Sequence, residues 1–253
     1  MYLHKKYLIN NELTDIKQYK LALKEKTKLN LRRSSKFNSL AILGAMNCVE
    51  NVTLSQNTGI YVCSEYSSIL SVKKVLHEME NSSMIMPFDF LNINSNNVSF
   101  YVSQALQSNG KNMLLTSGEL SFEKGLELAL FEMETSEVTD ILIGLVDESL
   151  ISINNYSKYL SNENNKYDKD YSGWLYLNQE KEDALCKIEF IESFDSQNKL
   201  DEIIKMIDYD LLYKNCECSF IESIEDFISG ENRKMIYIGI DKNDKGSVFF
   251  ISK

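Results

Sequence analysis

Asn112-Met-Leu-Leu-Thr-Ser-Gly-Glu-Leu-Ser-Phe-Glu-Lys-Gly-Leu-Glu-Leu-Ala-Leu130 reads as a strand, an elbow and a helix. Met113 to Thr116 is a short apolar run suited to a buried strand, and Ser117-Gly118 breaks it. From Ser121 to Met133 the apolar side chains recur at helical spacing. Such an elbow holds its apex residue, Glu119, at the mouth of a helix, where backbone N–H groups and the positive end of the dipole are exposed. Enzymes of the α/β class often carry a nucleophile at that apex. A carboxylate is a poor nucleophile for acyl transfer, which leaves three roles open for Glu119. It could act as acid or base, cap its own helix, or form an ion pair with a partner.

Outward from the elbow, strands and helices alternate. Ser34-Ser35-Lys36-Phe37 opens a helix behind a serine cap, and its apolar face (Phe37, Leu40, Ala41, Leu43, Gly44, Ala45, Cys48) is rich in small side chains, which implies close packing on a sheet. Gly59 to Cys63 reads as a buried strand and Ser67 to Met79 as an amphipathic helix. Pro87-Phe-Asp-Phe reads as an extended aromatic loop. It leads through an asparagine cluster into a helix capped by Asn94 or Ser95 and carrying Phe100 and Tyr101. So aromatic a surface points to core or to a subunit interface.

Asp140 to Asp147 is the clearest buried strand, and it ends on a carboxylate. Residues 151–171 read as a polar loop, with Gly173–Leu177 and Leu185–Phe190 following as two antiparallel strands. The tail offers partial helix in Ile203–Tyr213, a helix over Phe220–Ile228, and strands at Met235–Ile240 and Val248–Ile251 about a turn at Asp244-Lys-Gly246. The fold class is therefore α/β: a mixed, mostly parallel sheet with helices on both faces and a C-terminal hairpin, in one domain spanning 1–253.

Composition narrows the function. A formal charge of −10 argues against nucleic acid or an anionic membrane as a partner. Lys20 to Arg33 is the one basic cluster, read as a solvated helix face that could also seat an acidic partner. The five cysteines, with no signal peptide at the N-terminus, suit reduced thiols in the cytoplasm. Cys216-x-Cys218 lacks a second pair, so no metal is expected. His4 and His77, the two histidines, have no partner at catalytic spacing, which disfavours a Ser/His/Asp or Cys/His machine. No strand is followed by Gly-x-Gly-x-x-Gly, so a nucleotide cofactor is not expected.

Three stretches carry a resemblance. They are Arg32-Arg-Ser-Ser-Lys-Phe-Asn-Ser-Leu-Ala-Ile-Leu-Gly-Ala, Pro87-Phe-Asp-Phe-Leu-Asn-Ile-Asn-Ser-Asn-Asn-Val-Ser-Phe-Tyr-Val-Ser-Gln and Thr116-Ser-Gly-Glu-Leu-Ser-Phe-Glu-Lys-Gly-Leu-Glu-Leu-Ala. In order and spacing the chain resembles the N-terminal half of a β-ketoacyl synthase of the thiolase-like superfamily. It is most similar to half-length chain-length factors of aryl-polyene-type clusters, over roughly residues 30–180. Matching the family's elbow pattern to Gly125-Leu126 puts Glu119 at the nucleophilic cysteine. The family's two histidines and its lysine come from a C-terminal half that is not present here at full length. The resemblance therefore implies a non-catalytic subunit of fatty-acid or polyketide-type synthesis that pairs with an active β-ketoacyl synthase, with an acyl carrier protein as a further candidate partner. It also implies a heterodimer interface at Phe88, Phe90, Asn96, Phe100, Tyr101 and the edge Met113, Leu114, Leu115 and Thr116. The alternative is a stand-alone acyl-processing enzyme that uses Glu119 as acid or base.

Overall fold

The computed structural model describes residues 1–12, 14–136, 138–153 and 168–253. Their nine strands form one mixed sheet in the order β3-β2-β4-β5-β1-β6-β9-β8-β7. The first five are β1 (Tyr2–Glu12), β2 (Gly59–Cys63), β3 (Asn112–Leu115), β4 (Asp140–Asp147) and β5 (Lys169–Asn178). Here β2 lies parallel between β3 and β4, and β5 runs antiparallel between β4 and β1. The remaining four are β6 (Cys186–Phe194), β7 (Leu211–Lys214), β8 (Lys234–Ile240) and β9 (Gly246–Ser252). They repeat the plan without a counterpart of β3: β9 is antiparallel between β6 and β8, and β7 is parallel to β8. The two segments join where Tyr2 and Leu3 pair with Lys187 and Cys186.

Parallel pairing is thus narrower than a mostly parallel sheet, being confined to β3-β2-β4 and β7-β8. The reason is that each segment inserts its last strand beside its first, so the returning chain runs against both neighbours. For the same reason β5 and β6, expected as a pair, are separated by β1. The tail does end in the β8–β9 hairpin, but that hairpin belongs to a second sheet segment.

Strand alternation sorts the core into two faces. Tyr61 and Cys63 of β2, with Ile141, Ile143 and Leu145 of β4, pack under α6 (Ser121–Thr135) and α8 (Phe220–Ser229). Met235 and Tyr237 of β8 and Phe249 and Ile251 of β9 join the same cluster, so both segments share these two helices. On the opposite face Ile60, Val62, Leu142 and Val146 meet α1 (Ile16–Lys26), α2 (Lys36–Cys48) and α5 (Asn97–Leu106). There α7 (Gln197–Lys205) covers Ile236, Ile238 and Val248 with Leu200 and Ile203. The small side chains of α2 serve the close approach expected of them. A methyl group at Gly44 would overlap Ser172 Oγ and the Trp174 indole.

The basic cluster read as a helix face begins within a helix, α1, capped by the Asp15 carboxylate on the Lys17 N–H. Three local expectations change. Ile203–Tyr213, read as partial helix, divides between the end of α7 and strand β7. Pro87 to Asn92 is a short helix, α4, in place of an extended loop, with Pro87 at its first turn, where a missing N–H costs nothing. Helix α5 begins at Asn97 behind Asn96, one or two residues past the anticipated cap, with no side-chain capping bond. Helix α3 (Ile69–Glu80) matches its expectation. Of the anticipated polar loop at 151–171, residues 154–167 lie outside the described residues, and Lys169–Tyr171 belong to β5.

Candidate functional site

The elbow forms as its sequence suggests, but its hydrogen bonds come from Ser121. Ser121 Oγ accepts the Ser117 N–H at 2.8 Å and donates to the Gly118 carbonyl at 2.7 Å, tying both ends of the turn to the first residue of α6. Gly118 sits at φ +58° with open space around it, so the turn rests on glycine's backbone freedom. The helix N-cap is Leu120 and carries no side-chain capping bond. Glu119 is half-buried beside it and does not fill the capping role left open for it. The acid in the first turn of α6 is Glu123, which sequence reasoning passed over.

Glu123 is buried between the sheet segments. Its carboxylate accepts the Tyr237 hydroxyl at 3.1 Å, and that hydroxyl also lies 3.3 Å from the Cys218 carbonyl just before α8. Gly239 permits this, because a methyl group there would run into Glu123 Cγ. Burial first, then the neighbouring Glu123, push the Tyr237 hydroxyl well above its ordinary value, so it stays neutral and donates. Around it Phe220 packs at a tilt against Phe122 (5.5 Å between centroids) and edge-to-face against Tyr237 (4.8 Å). The N-terminal turns of α6 and α8 are thereby joined by packed rings and a buried hydrogen bond. Beneath α6, the thiol of Cys63 packs against Gly125, and burial raises it well above the usual thiol range. A thiol held neutral in this way is inert as a nucleophile.

The carboxylate that ends β4 is a loop anchor. Asp147 accepts from Ser64 Oγ at 2.7 Å and from the N–H groups of Glu65 and Tyr66 at 3.1 Å, holding the chain between β2 and α3. Burial pushes its pKa up to about 6 against the pull of those donors. Next to it, burial carries Glu148 up to about 8, with the Lys36 ammonium opposing. Lys36 itself is paired at 2.7 Å with buried Asp170, which also accepts from Tyr19 Oη, Thr14 N and Ser149 N. The lysine of the Arg-Arg-Ser-Ser-Lys stretch is therefore a fastener joining α1, α2 and β5.

The residues expected at an interface lie on α4, on α5 and the residue that precedes it, and along and just past β3. Phe90 is 62% exposed and Phe100 52%, and Asn96 and Thr116 are also exposed. Phe88 is 41% exposed and carries the Arg33 guanidinium over its ring at 4.1 Å. Lys74 pairs with Asp89 at 2.6 Å, so the first turn of α4 is fastened to α3 and to the segment that precedes α2. Tyr101 is half-buried, with its ring edge toward Phe100. Strand β3 ends the sheet, as the resemblance implied, and its side chains are half-buried rather than enclosed. Met113 and Leu115 lean on the α6 side and Leu114 on the other, leaving the outer backbone edge for any partner.

No protein-family model and no curated protein matches this sequence. Solved structures do match it in shape. Against a chain of the ketosynthase ApeO in complex with its chain length factor ApeC from Xenorhabdus doucetiae, the TM-score is 0.65 at 15% identity, with all of both chains covered. The ishigamide ketosynthase/chain length factor gives 0.72 at 9%, covering 99% of this chain and 98% of that one. A β-ketoacyl synthase from Burkholderia phymatum STM815 gives 0.72 at 9%, covering 100% and 98%. The fold is that of the thiolase-like ketosynthases.

Because the ketosynthase fold is matched from end to end, the resemblance reaches past the N-terminal half that the sequence motifs displayed. β6 to β9 with α7 and α8 make a shortened second half. This half carried none of the three stretches on which the resemblance rests, although α8 and the β8–β9 hairpin were legible from local pattern. Among the described residues no helix of this ketosynthase-fold chain is long and apolar enough to cross a membrane.

Proposed function

We propose that the chain is a non-catalytic, chain-length-factor-type subunit that pairs with an active β-ketoacyl synthase in fatty-acid or polyketide-type synthesis, of the polyene kind. The observation that carries this reading is the elbow. At its apex stands a carboxylate where acyl transfer needs a thiolate or alkoxide, and the space between α6 and α8 behind it is packed with Phe122, Phe220, Tyr237 and the bonded Glu123. Claisen condensation needs an acyl acceptor and a group that stabilises the enolate. The exposed Phe100 on α5, the helix that packs on β3, supports the partner surface, since an unpaired edge flanked by apolar side chains is an aggregation hazard unless covered, and Phe90 on α4 adds exposed aromatic surface. Similarity to ketosynthase and chain-length-factor complexes supports the same assignment, and that to AntDE:AntF, an acyl-carrier protein in complex with its ketosynthase, supports a carrier protein as a further partner.

Co-expression with a ketosynthase encoded beside it tests the proposal. The expected result is a stable complex that elongates acyl chains, with elongation or product length lost when this chain is withheld. A chain that stays alone, beside a ketosynthase that makes the same products without it, would overturn the reading.

A further inference from the structure

Helix α1 and the chain after it enclose a groove of about 690 Å³, open along one side. Tyr19 and Leu23 turn the inner face of α1 toward the core. Lys17, Leu21 and Lys24, spaced four and three residues apart, share an outward stripe. Across the groove stand Leu31 and Arg32, and Lys20 closes the gap by donating to the Arg32 carbonyl at 3.1 Å. The floor is apolar, and Leu21 stays 65% exposed between the cations. No carboxylate lines the groove, and among the described residues none is ion-paired with Lys17, Lys24 or Arg32. A chain of net charge −10 thus gathers four cations around one apolar trough.

We infer that this groove receives an acidic amphipathic helix from a partner protein. An apolar stripe would seat on Leu21 and the floor, and carboxylates on either side of it would meet Lys17, Lys24 and Arg32, the helix-in-groove mode of recognition. The whole-molecule charge tells against an anionic bilayer, which would repel the rest of the surface, whereas a single helix enters the groove alone. The open side tells against a small ligand, because such sites bury most of their ligand's surface. The inference stands on the groove and is independent of pairing with a ketosynthase.

The probe is a labelled peptide of about 18 residues, long enough to hold a helix, with leucines at i, i+3, i+4 and i+7 and glutamates on the flanks. Its anisotropy is followed as the full chain is added. Saturable binding is expected, weakening as salt is raised. Lys17→Glu with Lys24→Glu, both at exposed positions, should weaken it about tenfold or more, and Leu21→Asn should weaken it independently. Equal binding of a peptide with its leucines scrambled, unchanged binding by the charge-reversed variant, no binding at low salt, or capture by phosphatidylglycerol vesicles instead of the peptide would each overturn the inference.

Discussion

The Tyr237 hydroxyl donates to the Glu123 carboxylate at 3.1 Å, linking the last sheet segment to the first turn of the elbow helix across 114 residues of chain. Both groups are buried, so the bond competes with little water, and losing the donor leaves a carboxylate oxygen less well satisfied. Tyr237→Phe should destabilise the fold by about 1–3 kcal/mol. Urea unfolding checks this, and a midpoint equal to that of the parent would remove the bond from the account.

Glu148 sets a pH dependence. Its carboxyl is pushed up to about 8 from an ordinary value of 4.5, so the folded chain holds a proton that the unfolded chain releases. The stability linked to this group is fully present below about pH 4.5 and is lost as the pH rises toward 8, on the order of 3–5 kcal/mol across that window. Asp147, raised to about 6, acts in the same direction over the lower part of the range. Glu148→Gln should flatten the decline of melting temperature between pH 5 and 8. An unchanged slope in that variant would show that the proton is held elsewhere.

Two glycines should respond differently to substitution. Gly44→Ala forces a methyl group into Ser172 and Trp174, and overpacking of this kind costs about 1–3 kcal/mol. Gly118 has free space but a left-handed backbone, so Gly118→Asn, which tolerates that conformation, should stay within about 1 kcal/mol of the parent. Denaturation midpoints of the two variants decide it. Equal losses would contradict the packing argument.

Phe100 is exposed and distant from the shared core, so Phe100→Asp should leave the isolated chain folded. In complex with the proposed ketosynthase partner it should weaken association about a hundredfold, the effect of placing a charge in a desolvated apolar contact. Size-exclusion chromatography of the co-expressed pair measures this. A complex of undiminished stability would move the partner surface elsewhere.

Glu119→Gln separates the two roles left for the elbow acid. Under the non-catalytic reading the complex forms and product yield stays within about twofold, since the variant keeps the size of the side chain and removes only its charge. An intact complex that makes no product would restore Glu119 as acid or base.

Much of this molecule was legible locally. β2, β4, α6, α8 and the β8–β9 hairpin fall where apolar periodicity and turn residues put them, because alternation in a strand and the stripe on a helix are written within a few neighbouring positions. The elbow at Ser117-Gly118 was legible for the same reason. What tertiary structure alone decided is pairing and neutralisation: β1 lies between β5 and β6, β9 lies between β6 and β8, and Phe88 lies under Arg33. Helix α4, at six residues, is too short to show a period. Glu123, Asp147 and Asp170 are satisfied by remote donors (Tyr237, Ser64, Lys36) that no local pattern reveals. The sequence by itself determined the elements and the carboxylate at the elbow, since both depend on adjacent residues. Only the fold decided that the helix behind the elbow carries a packed interior, because ladder partners and the donors of buried acids can lie more than a hundred residues away, beyond the reach of any local pattern.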